Sequence, residues 1–136
     1  MRLKAMAKIN LGLDVLGKRE DGYHEVRMIM QTIRMYDILD IRKTRRPGIV
    51  LTTNLPFIPT DQRNLVYKAA QMLMEEFDVE EGLSIKLRKF IPVAAGMAGG
   101  SSDAAAAFVG VNRMFHLGLT EEQLMERAVK VGADVP

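Results

Sequence analysis

The segment from Pro92 to Asp103 contains the residues best suited to chemistry, because its glycines and serines lie between a strand pattern and a helix pattern. Polar and apolar residues alternate from Leu83 to Arg88, which predicts a strand, and the alanine-rich run after Asp103 predicts a helix. Glycines let backbone N–H groups approach an anion, and a helix N-terminus adds unpaired donors and partial positive charge. Ser101 and Ser102 stand where N-cap residues are expected, and their hydroxyls can also reach a phosphate oxygen. The segment is therefore a candidate phosphate-binding loop.

Three common motifs do not fit this segment. A P-loop requires a Gly-Lys-Ser/Thr sequence at a fixed distance after its first glycine, and no lysine follows Gly96 in that way. The dinucleotide fingerprint G-x-G-x-x-G fails because Ala98 holds the second glycine position. The nucleophile elbow G-x-S-x-G fails because Asp103 follows the serines. The alternative without chemistry is a flexible loop capped by serines, with alanines that allow close helix packing.

The pattern Pro-x-x-x-Gly-x-x-x-Gly-Ser-Ser before an alanine-rich helix resembles the phosphate loop of the GHMP kinase superfamily, which includes galactokinase, homoserine kinase and mevalonate kinase. Three shorter motifs extend the resemblance from Lys4 to the last residue: Ala7–Leu11, Asp21–His24 and Gly132–Pro136. Together they resemble the member that phosphorylates a hydroxyl of a cytidine-diphosphate-linked methylerythritol in non-mevalonate isoprenoid precursor biosynthesis. Another small-molecule kinase of the superfamily stays open, as does a non-catalytic nucleotide- or RNA-binding domain.

The resemblance implies a binding site for ATP, which would bring Mg²⁺ held largely by its phosphates. No His, Asp and Glu residues have the spacing of a fixed metal site, so no metal-ligating residue is assigned. For Lys89 the alternative is an exposed lysine at a strand end, and Asp103 has no role that the family pattern requires. The residues implied in nucleotide binding are Asn64, Lys89, Pro92, Val93, Ala94, Ala95, Gly96, Met97, Ala98, Gly99, Gly100, Ser101 and Ser102.

The resemblance also implies a catalytic pair, Lys8 and Asp134. Phosphoryl transfer to an alcohol needs a carboxylate that accepts the hydroxyl proton and cations that stabilise the spread negative charge. Asp134 matches the family's catalytic base, and Lys8 matches the lysine beside the acceptor hydroxyl, which also holds the carboxylate ionised. The ordinary alternatives are a turn aspartate for Asp134 and a rim lysine for Lys8.

Three residues are implied in binding the acceptor. Tyr23 would stack on the cytosine and His24 would hydrogen-bond its edge, because a flat aromatic ring suits any base and a neighbouring polar group adds selectivity. Asn10 shares a strand face with Lys8 and would orient the polar groups of the acceptor. The alternatives are a half-buried aromatic for Tyr23, a surface histidine for His24 and a solvent-facing strand residue for Asn10.

The elements that must position these residues predict an α+β domain, a sheet with helices packed on one face. By resemblance this is the GHMP kinase N-terminal domain, with the fold of the second domain of ribosomal protein S5. The predicted strands are 3–16, 26–34, 38–43, 49–53 and 83–88, with 38–43 and 49–53 paired as a hairpin. The predicted helices are 64–77 capped by Asp61, 101–116, and a last helix to about Val131 that opens with a capping box at Thr120.

Composition fits a soluble globular domain and argues against several other classes. The 136 residues carry a net charge of +2, with 48% hydrophobic and 26% charged residues. No apolar run approaches the roughly 18 residues that span a bilayer, so no membrane partner is expected. The basic run 42–46 has no interleaved aromatics, so nucleic-acid binding is not expected. The absence of cysteine excludes disulfides and thiolate metal sites and is compatible with the cytoplasm.

The resemblance further implies that residues 1–136 are an N-terminal ATP-binding domain and that a second domain follows Pro136. We expect these residues alone to fold at least partly but not to catalyse, because Asp134 would lie at a frayed end. Apolar surface meant for the second domain would then favour self-association.

Overall fold

The computed structural model describes the backbone of residues 1–18, 24–91 and 99–132, and the side chains of these apart from 7–18, 24–35 and 99. The described part contains one sheet and three helices. The strands are β1 (Arg2–Lys18), β2 (His24–Thr44), β3 (Gly48–Thr53) and β4 (Gly82–Arg88). The helices are α1 (Leu65–Glu76), α2 (Gly99–Met114) and α3 (Glu121–Ala128).

The sheet is mixed, with the strand order β1-β2-β4-β3. β2 pairs antiparallel with both β1 and β4, whereas β3 pairs parallel with β4. The predicted hairpin between 38–43 and 49–53 is wrong, because β4 lies between the two strands. A parallel pair needs a crossover connection, and α1 supplies it between β3 and β4.

The predicted strands 26–34 and 38–43 are one continuous strand, β2. The predicted break at 35–37 does not occur, although Asp37 is buried within the strand. Its carboxylate accepts hydrogen bonds from Phe90 N and Ile91 N, and these satisfy the polar group without interrupting the strand.

Helices cover one face of the sheet, which confirms the α+β prediction. The buried core joins strand residues such as Leu39 and Ile85 to Leu73 of α1 and Phe108 of α2. α2 lies close to the sheet because of its small residues: a Cβ at Gly110 would be only 2.6 Å from the side chains of Ile41 and Leu3. The missing side chain at Gly110 therefore allows α2 to pack closely against the sheet.

Helix boundaries differ from the predictions in three places. Asn64, not Asp61, caps α1: its side chain accepts from Val66 N, whereas the Asp61 carboxylate accepts from Arg63. α2 begins at Gly99, so the two serines that follow Gly100 lie in its first turn and not at the N-cap. The capping box at Thr120 is confirmed, but α3 ends at Ala128. None of the helices described here is long and apolar enough to cross a membrane.

Candidate functional site

The N-terminus of α2 is the first part of the candidate site. Gly100 is exposed and Ser101 is half-buried beside it. The first amide groups of a helix lack intrahelical acceptors, and their summed dipole attracts negative charge. Ser102 is used differently, because its hydroxyl donates to the Met6 carbonyl at 2.7 Å. This bond ties the start of α2 to β1, two residues before Lys8.

A buried ionic cluster lies beneath this helix end. Lys89 follows β4 directly, and its Nζ lies 2.6 Å from Oδ2 of Asp103 in α2 and 3.1 Å from Oδ2 of Asp37 in β2. The three side chains are 7%, 1% and 0% exposed, respectively. Burying charges is costly unless they are paired and hydrogen-bonded, and here one ammonium serves two carboxylates. We call Asp37, Lys89 and Asp103 the buried cluster.

The strand end that enters the glycine-rich segment is held by backbone contacts as well. Asp37 Oδ1 accepts from Phe90 N at 2.6 Å and from Ile91 N at 2.9 Å. Asn54 pairs with the backbone of Lys89 in both directions, donating to its carbonyl at 3.1 Å and accepting from its N–H at 2.8 Å. The three residues before Pro92 are therefore fixed by side chains from two other parts of the chain.

The carboxyls of the buried cluster differ in their protonation. Burial raises the pKa of Asp103 to about 8, and the neighbouring Asp37 adds to the rise, whereas Lys89 opposes it. Burial also opposes ionisation of Asp37, but hydrogen bonds from Asp103, from two backbone N–H groups and from Lys89 hold its pKa below the ordinary value. For Lys89, burial lowers the pKa, but the two carboxylates outweigh this and raise it. Near neutral pH the cluster thus holds one anion, one cation and one largely neutral carboxyl.

Two predicted nucleotide-binding side chains form hydrogen bonds within the domain. The alternative of an exposed strand-end lysine is wrong for Lys89, which is 7% exposed. The Asn64 side chain caps α1 by accepting from Val66 N and donates to the Pro59 carbonyl at 3.0 Å. Contact of either residue with a nucleotide stays a prediction.

The other predicted site residues lie wholly or partly outside the described residues. The backbone of Lys8 pairs with Thr32 and that of Asn10 with Met30 in the β1–β2 ladder, but their side chains are not described. His24 opens β2, and only its backbone is described. Tyr23, the loop residues 92–98 and Asp134 are outside the described residues. The roles of all these residues stay predictions.

Sequence reasoning missed the role of Asp37 and Asp103. Each had a visible signal, a lone acid in an otherwise apolar environment: Asp37 between Tyr36 and Ile38, and Asp103 before a run of alanines. A charged residue in an apolar pattern is rarely fully buried without a partner. The partner, Lys89, could not be named from spacing, because it lies 52 residues from Asp37.

Curated relatives match this chain along its length. A protein of Caldicellulosiruptor bescii named 4-diphosphocytidyl-2-C-methyl-D-erythritol kinase is 57% identical over 100% of the chain and 48% of its own length. A protein of the same name from Lachnoclostridium phytofermentans is 56% identical over 98% of the chain and 46% of its own length. The chain spans about half the length of the curated relatives it matches.

Solved structures are similar in fold. A crystal structure of 4-(cytidine 5'-diphospho)-2C-methyl-D-erythritol kinase matches 100% of the chain and 47% of its own, with a TM-score of 0.76 and 35% identity. A mevalonate kinase structure matches 99% of the chain and 47% of its own with a TM-score of 0.72, but at 16% identity this likeness shows the fold alone.

The family model described as the GHMP kinases N terminal domain matches residues 64–136, more than half of the chain. The matched residues include α2 and two members of the buried cluster, Lys89 and Asp103. The resemblance inferred from the motifs is thereby confirmed, and the chain belongs to the GHMP kinase family.

Proposed function

We propose that this chain is the N-terminal, ATP-binding domain of an enzyme that phosphorylates a hydroxyl of 4-diphosphocytidyl-2-C-methyl-D-erythritol, in non-mevalonate isoprenoid precursor biosynthesis. The observation that carries the proposal is identity above 55% along 98–100% of the chain to relatives bearing that kinase's name. Because those relatives are about twice as long, the activity belongs to the full-length protein, by which we mean this chain with the remaining length of its relatives. ATP is a cytoplasmic metabolite, so we propose the cytoplasm as the place of action.

The first turn of α2 fits the phosphates of ATP. It offers exposed Gly100, half-buried Ser101 and amide groups without intrahelical acceptors. ATP supplies the phosphoryl group, and Mg²⁺ held by its phosphates offsets their charge. Within the described ranges no three His, Asp or Glu side chains are grouped so that they could hold a metal ion.

The catalytic residues and those that bind the acceptor are assigned from the sequence motifs. Asp134 accepts the proton of the acceptor hydroxyl, and Lys8 keeps that carboxylate ionised and stabilises the developing charge. Tyr23 stacks on the cytosine, His24 bonds to its edge, and Asn10 orients the acceptor. The hydrogen bond from Ser102 to Met6 supports this arrangement, because it links the phosphate-binding end of α2 to the strand that carries Lys8.

The experiment is an acceptor comparison with the full-length protein. ATP is supplied with the cytidine-bearing acceptor, with mevalonate or with homoserine, and the phosphorylated product is identified by mass spectrometry. We expect turnover only with the cytidine-bearing acceptor. Asp134→Asn should lower kcat by about 10²–10⁴-fold, the usual loss on removing a general base. Asp40→Asn, an exposed carboxylate outside the site, is the matched control. Turnover of mevalonate or homoserine instead would identify a sister kinase.

A further inference from the structure

The buried cluster touches both ends of the glycine-rich segment. Before the segment, Asp37 accepts from the N–H groups of Phe90 and Ile91, and Lys89 is part of the cluster itself. After the segment, Asp103 belongs to the opening of α2 and receives Lys89 Nζ at 2.6 Å. The residues just before Pro92 and the start of α2 are therefore held by the same three side chains.

One oxygen of this cluster lacks a partner within the described part of the chain. Asp103 Oδ1 is shielded from solvent and receives no hydrogen bond there. A buried carboxylate oxygen without a donor is costly, and protonation removes most of that cost. A protonated Asp103 can share its proton with Asp37, whereas an ionised Asp103 places a second negative charge beside it.

Among the residues that the structure describes, few groups near Asp103 could compensate this second charge. β2 contributes Asp37, and the segment after β4 contributes Lys89. α1 brings the apolar Leu65 side chain near this helix end, 4.0 Å from where a Cβ at Gly100 would lie. β1 brings the Met6 carbonyl, which is already bonded to Ser102. Ionisation of Asp103 thus changes the cluster from neutral to singly negative.

We propose that Asp37, Lys89 and Asp103 are positioning residues that hold the residues after β4 against the start of α2 and set the charge beneath α2, so that ATP affinity depends on the protonation of Asp103. The inference rests on the proposed binding of ATP phosphates at α2. A negative charge there repels the phosphates and opposes the attraction of the helix N-terminus. ATP affinity therefore falls as Asp103 ionises.

The experiment measures ATP affinity against pH in the full-length protein by calorimetry, with kcat and KM measured in parallel. For the wild type, we expect the Kd for ATP to rise about tenfold from about pH 7 to about pH 9, which corresponds to about 1.4 kcal/mol. Asp103→Asn, which cannot ionise and keeps the shape of the side chain, should lose the rise in Kd between these pH values. Asp40→Asn changes an aspartate of β2 outside the cluster, and its Kd for ATP should rise with pH as in the wild type.

A second variant separates positioning from charge. Asp103→Ala removes the contact of α2 with Lys89, and we expect it to raise the KM for ATP already near pH 7, with a smaller effect on kcat. A flat wild-type profile, or a rise that persists in Asp103→Asn, would overturn the inference and leave the proposed kinase function standing. ATP binding without phosphorylation of the cytidine-bearing acceptor would overturn the function alone. Absence of ATP binding would overturn both.

Discussion

Two aspartates three residues apart on β2 have opposite environments. Asp37 is 0% exposed and shares Lys89 with Asp103 beneath the helices, whereas the side chain of Asp40 is 24% exposed and pairs with Arg2. Both pairs join a carboxylate to a cation near 3 Å: Lys89 Nζ to Asp37 at 3.1 Å, and Arg2 Nε to Asp40 at 2.9 Å. Water solvates the exposed pair whether or not it forms, but nothing replaces a lost partner in the buried cluster. Loss of a partner should therefore lower stability much more in the buried cluster than in the exposed pair, although the contact lengths are similar.

The largest expected effect comes from removing the buried cation. Lys89→Met keeps the length of the side chain but leaves the Asp37 carboxylate without its counter-ion and Asp103 without its donor, and removing one partner of a buried pair costs about 3–5 kcal/mol. Urea denaturation of the full-length protein measures the loss of stability as a shift in the midpoint of this domain's unfolding transition. Arg2→Met is the matched control and should leave the midpoint unchanged. If Lys89→Met and Arg2→Met lowered the midpoint equally, the buried and the exposed pair would not differ in their contribution to stability.

A smaller loss is expected on removing the carboxylate of Asp37. Asp37→Ala leaves the N–H groups of Phe90 and Ile91 without their acceptor, and each such buried donor costs about 1–3 kcal/mol. The same denaturation experiment with Asp40→Ala is the control, which should stay close to the wild type. Amide hydrogen exchange should show faster exchange at Phe90 and Ile91 in the Asp37 variant only. Unchanged exchange there would contradict the assigned acceptor.

The pH dependence of stability should also separate the two aspartates. Asp103 has a pKa raised to about 8 in the folded protein, while an unfolded aspartate titrates near about 3.9. Between these values the folded state holds a proton that the unfolded state has lost, so the contribution of Asp103 to stability falls as the pH rises through this range. The Asp103→Asn variant should lack this fall when denaturation midpoints are compared from acid to alkaline pH.

The contribution of Asp40 to stability should change with pH in the opposite direction, and only at acid pH. A hydrogen bond from Arg2 holds its pKa below the ordinary value, so its contribution is present above the unfolded pKa and is lost only as the pH falls through acid values. Asp40→Asn should therefore leave the neutral-to-alkaline profile of the wild type unchanged. An altered alkaline profile in this variant would show that the two faces of β2 are coupled.

The smallest expected effect concerns salt. The Arg2–Asp40 pair is exposed, and salt at about 0.1 M already screens charges over about 10 Å. Any difference between Arg2→Met and the wild type at low salt should vanish at high salt, whereas the loss in Lys89→Met should persist because the cluster is buried. Denaturation midpoints at two salt concentrations measure this, and a salt-sensitive loss in Lys89→Met would mean that water reaches the cluster.

Local patterns in the sequence predicted local structure well. The capping box at Thr120 and the strand before the glycine-rich segment were both expected, because each depends on residues within a few positions of one another. The cap of α1 was assigned to Asp61 instead of Asn64, since both residue types favour that position and only the contact with Arg63 decides between them. The hairpin was wrong because adjacency along the chain does not decide which strands pair.

The sequence by itself determined the family, the alternation of strands and helices, and the glycine-rich segment between β4 and α2. These depend on short-range periodicity, on backbone freedom at glycine and on motifs read in order. Only the tertiary structure decided that β4 inserts between β2 and β3, and that Lys89 meets Asp37 from 52 residues away. Strand order follows from burying the whole apolar face under α1 and α2, and no local pattern encodes that. Since the buried cluster exists only once the sheet and α2 have come together, its charge balance is a property of the fold.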